Sequence, residues 1–71
     1  MTYFDAQLRS LSLREMVIMF YVSQGFDTAQ IASEMGITYQ TVKGELYRVR
    51  NKLGHDGAYI QLMLRIRQAI A

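Results

Sequence analysis

Lys43, Arg48, Arg50 and Lys52 are crowded into the stretch TVKGELYRVRNKLG, interleaved with the ring of Tyr47 and the amide of Asn51, with Gln40 just upstream. Side chains of these types carry no covalent chemistry of their own, but they suit a polyanion. Lysine and arginine neutralise phosphates, and each phosphate contact adds close to one unit of salt dependence to a nucleic-acid complex. Tyr47 offers a hydroxyl and a flat ring to a base edge or a sugar. Two residues run against this reading. Gly44 costs roughly 1 kcal/mol relative to alanine in a helix interior, and Glu45 is an acid among bases. A bare glycine lets a helix backbone approach DNA closely; it is also a defect that a helix can tolerate. Glu45 can pair with Arg48 one turn on, a contact worth a few tenths of a kcal/mol when exposed, or accept from cytosine N4 in a groove. A carboxylate facing phosphates costs affinity. Glu45 is therefore expected along the helix flank, with Glu45→Gln leaving DNA affinity equal or better.

Charge is unevenly spread. Arg9 and Arg14 stand against Asp5, Glu15, Asp27 and Glu34 in residues 1–37, a net −2. In residues 38–71, Lys43, Arg48, Arg50, Lys52, Arg65 and Arg67 stand against Glu45 and Asp56, a net +4. A basic half suits a polyanionic partner, and equally a solvated surface. The sequence has no cysteine and one histidine, His55, so it encodes neither a disulfide framework nor a metal site, and no cofactor is expected. There is no glycine-rich phosphate loop and no Ser/His/Asp set, so an enzyme is not expected. The longest apolar run, Met16 to Val22, is too short to span a bilayer. No membrane partner is expected, and a cytoplasmic location is the default.

The basic stretch needs a scaffold, and the punctuation describes one. Ser12-Leu-Arg-Glu15 is a capping box, opening a helix that should end at Gly25, whose tolerance of positive φ suits a C′ position. Asp27-Thr-Ala-Gln30 opens a short helix closed by Gly36. Thr38 caps a third, ended by Gly54, and Asp56 a fourth. No stretch alternates like a strand. The expectation is an all-α, four-helix domain over residues 11–71, preceded by an N-terminal arm, residues 1–10. Ile31, Ala32 and Met35 should face the core from the second helix, and Val42, Leu46, Val49 and Leu53 from the third. That turns Gln40, Lys43, Gly44, Tyr47, Arg48 and Asn51 outward. A short helix, a glycine turn and a longer basic helix form the helix-turn-helix pattern.

On these residues the chain resembles a known family. Leu11-Ser12, Arg14-Glu15, Gly25, Ile31-Ala32, Ile37, Thr41-Val42-Lys43 and Lys52-Leu53-Gly54 are similar to the LuxR-type (GerE/NarL-like) helix-turn-helix domain. The resemblance implies a transcriptional regulator that binds double-stranded DNA as a dimer, its last helix making much of the dimer contact. It places Lys43, Gly44 and Tyr47 at base contacts, and Thr28, Thr38, Gln40, Thr41, Arg48 and Lys52 near phosphates; Arg50 and Asn51 complete the expected DNA-binding set. With only Met1 to Ser10 ahead of the domain, a stand-alone, GerE-like member is expected. Three positions depart from the family: Glu45 replaces a usual histidine, Gly44 a side chain, and Ala58 a usual arginine. The same third helix also resembles region 4 of sigma factors, with the same implied chemistry.

Apolar residues exceed what one small core needs. Leu13, Met16, Val17 and Phe20 form a second stripe on the first helix, covered either by Tyr3, Phe4 and Leu8 of the arm or by a partner such as another regulator or RNA polymerase. On the last helix, Tyr59, Leu62, Met63, Ile66 and Ile70 should serve the core. Ile60 and Leu64 should meet a twofold-related copy, while Gln61, Arg65, Arg67 and Gln68 meet water. The expected function is a sequence-specific regulator, a homodimer reading the major groove with helix 38–53. The alternative is an anti-regulator that traps a LuxR-type partner in an inactive complex.

Overall fold

The computed structural model describes residues 2–70; Met1 and Ala71, the outer bounds of the expected arm and domain, lie outside the described residues. Five helices make up the described chain: α1 (Tyr3–Arg9), α2 (Leu13–Ser23), α3 (Thr28–Met35), α4 (Tyr39–Leu53) and α5 (Tyr59–Ile70). There is no strand among the described residues. The all-α expectation holds, and the helix count is one higher than expected. The additional helix is α1, where an arm was expected. Thr2 accepts from the Asp5 amide at 3.1 Å, and the Asp5 carboxylate answers with the Thr2 hydroxyl and amide. This is a capping box with aspartate at its third position. It nucleates two turns that bury Phe4 and Leu8, one turn apart.

The other starts follow their caps. Ser12 with Glu15 and Asp27 with Gln30 both close reciprocal boxes, and the Thr38 hydroxyl accepts from the Thr41 amide at 3.2 Å. Gly36 and Gly54 take left-handed conformations, with φ of 67° and 68°, just past α3 and α4. Only glycine adopts these angles without strain. Gly36 and Ile37 both donate back to the Ala32 carbonyl, which tightens the turn from α3 to α4.

The start of α5 departs from expectation. Asp56 is exposed and stands too far ahead of Tyr59 to cap the helix. The junction is held by longer side chains. Arg50 donates to the Gly57 carbonyl, Gln61 accepts from the Ala58 amide at 3.3 Å, and His55 Nε2 faces the Ala58 carbonyl at the same distance. Arg65 approaches His55 Nδ1 at 2.9 Å. A guanidinium can only donate, so the ring proton sits on Nε2. The same guanidinium lies 3.9 Å above the Phe4 ring, tying α5 to α1. Arg65 is exposed, as expected, and is also a structural strut. Arg67 is another, donating to the Ser23 carbonyl at 2.9 Å.

Ile18, Met19, Val22, Ile31, Val42, Leu46, Val49, Leu53, Leu62 and Ile66 form one core with Phe4, Leu8 and Leu11. The inward stripes expected for α3 and α4 are the observed ones, with Met35 partly buried. Helix α2 runs antiparallel to α5: Gly25, just past the end of α2, lies against Met63 in the first half of α5, while Met16 shares a groove with Ala69 and Ile70, and Arg67 reaches back to donate to the Ser23 carbonyl. Tyr59 is half-buried, and its hydroxyl donates to the Phe26 carbonyl. Burial, with a smaller push from Asp27, raises the pKa of that hydroxyl. These tethers fix α2 and α5 as a frame against which α3 and α4 are set.

Candidate nucleic-acid interface

Helix α4 buries Val42, Leu46, Val49 and Leu53 along one side. At 3.6 residues per turn the opposite ridge is Gln40, Gly44, Tyr47 and Asn51. Gln40 and Asn51 are exposed, and Tyr47 is 69% exposed, so its ring is not tucked against α3. Lys43 and Arg50 lie to one side of this ridge; Thr41, Arg48 and Lys52 lie to the other, which faces α2. Lys43 is exposed and has no ion-pair partner among the described residues.

At Gly44, an added Cβ would lie 3.6 Å from Nη1 of Arg48, an ordinary contact. The Arg48 guanidinium is folded back along the helix over the missing side chain. The helix tolerates glycine here and does not require it.

Glu45 lies on the flank, as expected, but its partner is not Arg48. Its Oε1 is 3.1 Å from Nε of Arg14, at the start of α2. Its Oε2 is buried without a hydrogen-bond partner. About two turns further along α4, Lys52 binds both oxygens of Glu15, at 2.8 and 3.1 Å. That hydrogen bond, followed by the one from the Ser12 amide, holds the Glu15 carboxyl below its usual pKa. The two pairs bolt α2 to α4 on the side where DNA-facing bases were expected.

The expected set therefore divides. Gln40, Lys43, Gly44, Tyr47 and Asn51 share the outer surface of α4, with Thr41 and Arg48 beside them. Thr28 opens α3, and the Thr38 hydroxyl is engaged in capping, 2.8 Å from Thr41 Oγ1. Arg50 does not share that surface: it is half-buried and turned into the α4–α5 junction. Lys52 is exposed but already paired. Arg14 was missed. It sits far from α4 in sequence, and nothing in its local spacing marks it; the clue was an unmatched acid, Glu45, on the facing helix.

The two apolar surfaces also separate. Ile60 and Leu64 are more than half exposed on α5. Met16 packs partly against the core beside α1, whereas Leu13, Val17 and Phe20 stay bare, Leu13 at 82% exposure. Helix α1 thus covers Met16 but not the rest of the stripe. The reason is direction: its buried side chains are drawn under Arg65 of α5 and against α4 rather than across α2.

A tight glycine turn, a short helix before it and a longer helix with a bare polar ridge after it make up the helix-turn-helix. The family model described as bacterial regulatory proteins, luxR family, matches residues 9–58. The chain belongs to the LuxR family. Domains of this family are DNA-binding regulators rather than enzymes. No curated protein and no solved structure matches the chain. The match begins at the last residue of α1 and stops immediately before α5, so α5 and the rest of α1 lie outside it. No helix among the described residues is long and apolar enough to cross a membrane.

Proposed function

We propose that the chain is a sequence-specific transcriptional regulator that lays α4 in the major groove of double-stranded DNA. The observation that carries this is the outer ridge of α4. Gln40, Gly44, Tyr47 and Asn51 stand clear of the core on a helix whose inner side is fully packed, with Lys43 and Arg48 at their flanks. Amides suit adenine N6 and N7, lysine suits guanine O6 and N7, and the glycine leaves room for a base pair to come near the backbone. Two copies would meet through Ile60 and Leu64 of α5, placing their α4 helices in successive major grooves about 34 Å apart. The test is capture of sheared host DNA by the purified protein near physiological salt, followed by sequencing. Enriched sites with twofold-related halves are the expected result. Retention without enrichment, vanishing on modest added salt, would reduce the activity to nonspecific phosphate contact.

The bare stripe Leu13, Val17 and Phe20 favours a second reading, an anti-regulator that holds a LuxR-type partner in a complex unable to bind DNA. Flat DNA enrichment, together with loss of a LuxR-type regulator's DNA binding on addition of this protein, would select it.

A further inference from the structure

Between α2 and α4 lies an open cleft of about 280 Å³ lined by Ser12, Arg14, Glu15, Glu45, Arg48 and Lys52. Its charges are layered. The acids are inside: the Glu15 and Glu45 side chains are 13% and 14% exposed. The bases are outside: Arg14 and Lys52 are 49% and 50% exposed. Each inner acid pins one outer base. At Arg14 the closest approach is at Nε, 3.1 Å from Oε1 of Glu45. Its two terminal nitrogens make no hydrogen bond among the described residues, the side chain is half exposed, and Arg48 lines the same cleft. A guanidinium held at Nε and free at its other end is prepared for an acceptor with two oxygens.

From this the geometry points to Arg14 of α2 as a DNA-backbone contact, with the cleft rim of Arg14, Arg48 and Lys52 receiving one phosphate and Glu45 acting as the positioning residue for Arg14. The inference rests on the reading of α4 as the DNA-facing helix and adds to it a contact from a different helix. It also explains Glu45. An acid on a DNA-binding helix repels phosphates unless a base stands between, and here Arg14 stands between. The phosphate meets guanidinium N–H groups, while the carboxylate remains on their far side. The buried, unpartnered Oε2 of Glu45 fits this arrangement, because only Oε1 is used in holding Arg14.

The test is a charge-neutral exchange of the pair. R14Q/E45Q removes one positive and one negative group, so the net charge of the protein is unchanged, and the two amides can still bridge α2 and α4. Binding to a mixed-sequence duplex of about three helical turns is followed by fluorescence anisotropy over a salt series. The log–log salt slope is expected to fall by about 0.9, with roughly five-fold weaker binding near 0.15 M salt. R14M/E45M, which replaces the pair with apolar side chains of similar length, should give the same loss should the amide pair loosen the helices. An unchanged slope in a variant that keeps the wild-type unfolding midpoint would overturn the assignment, because a purely structural ion pair has no phosphate to release. Wild-type protein that fails to bind the duplex at all would overturn the DNA reading itself, and this inference with it.

Discussion

The two flanks of α4 carry bases of the same types and use them in opposite ways. On the side facing α2, Lys52 and Arg14 are each paired with a carboxylate and are nonetheless about half exposed. On the other side, among the described residues, Arg50 pairs with no acid and is turned inward onto the Gly57 carbonyl, while Lys43 stands exposed and unpaired. Pairing with an acid does not remove a base from the surface when the acid lies beneath it. Bonding to a backbone carbonyl at a helix junction does remove it. The electrostatic face of α4 is therefore not the tally of its basic residues: one of them closes a turn, and one that belongs to the surface comes from α2.

The largest effect expected from breaking this contrast is at Arg50. Arg50→Ala leaves the Gly57 carbonyl without its charged donor at the start of α5, a loss of about 1.5–3 kcal/mol for a hydrogen bond to a charged group. The urea midpoint should fall, and the salt slope of DNA binding should stay as in the wild type. Lys43→Ala should do the reverse, lowering the slope by about one unit with no change in the urea midpoint. If Arg50→Ala lowered the slope instead, the inward placement of that side chain would not describe the DNA-bound protein.

A smaller effect is expected on the line between the two flanks. Gly44→Ala places a methyl group at ordinary contact distance from Arg48, so the folded helix accepts it and should gain about 1 kcal/mol. Thermal unfolding measures that gain. DNA affinity measured on the same variant asks whether the ridge is approached closely: a methyl group accepted by the free helix but rejected by the duplex would show that the backbone lies against the bases.

How much of this was legible in the sequence depended on the range of the signal. The caps at Ser12, Asp27 and Thr38 and the glycines at 25, 36 and 54 act within one turn, and the helices α2, α3 and α4 begin and end where those residues place them. The inward stripes of α3 and α4 follow from period alone. Helix α1 does not declare itself in the sequence: it has only seven residues, too few for a period to show, and its Thr2–Asp5 box carries aspartate where glutamate or glutamine is usual. The α5 start was misplaced because its anchors, Arg50 and His55, act across a loop rather than along the helix. On α4, period alone turned Tyr47 and Gln40 outward. It gave no warning of Arg14–Glu45 or Lys52–Glu15, since such pairs are made by tertiary packing between residues remote in sequence. Local chemistry was readable; which acid holds which base was not.

The smallest effect concerns the α2–α4 bolt itself. Lys52 and the Ser12 amide hold the Glu15 carboxyl below its ordinary pKa in the folded chain. A carboxylate stabilised in this way binds its proton less readily folded than unfolded. Its contribution is therefore complete above the ordinary carboxylate range and is lost as the pH falls through the lowered folded value. Because Lys52 is half exposed, screening by solvent keeps the contribution below about 1 kcal/mol. Unfolding midpoints measured from neutral pH down to about pH 3 should fall on the acid side, with Asp5 adding to the slope through its bond from Thr2, which lowers its pKa as well. Lys52→Gln should flatten part of that fall and leave the Asp5 part, since α1 is capped independently of α4. An acid limb identical in the variant and the wild type would mean that Glu15 is held by Ser12 alone. Lys52 would then be as free for phosphate as Lys43, and the two flanks of α4 would differ only at Arg14 and Arg50.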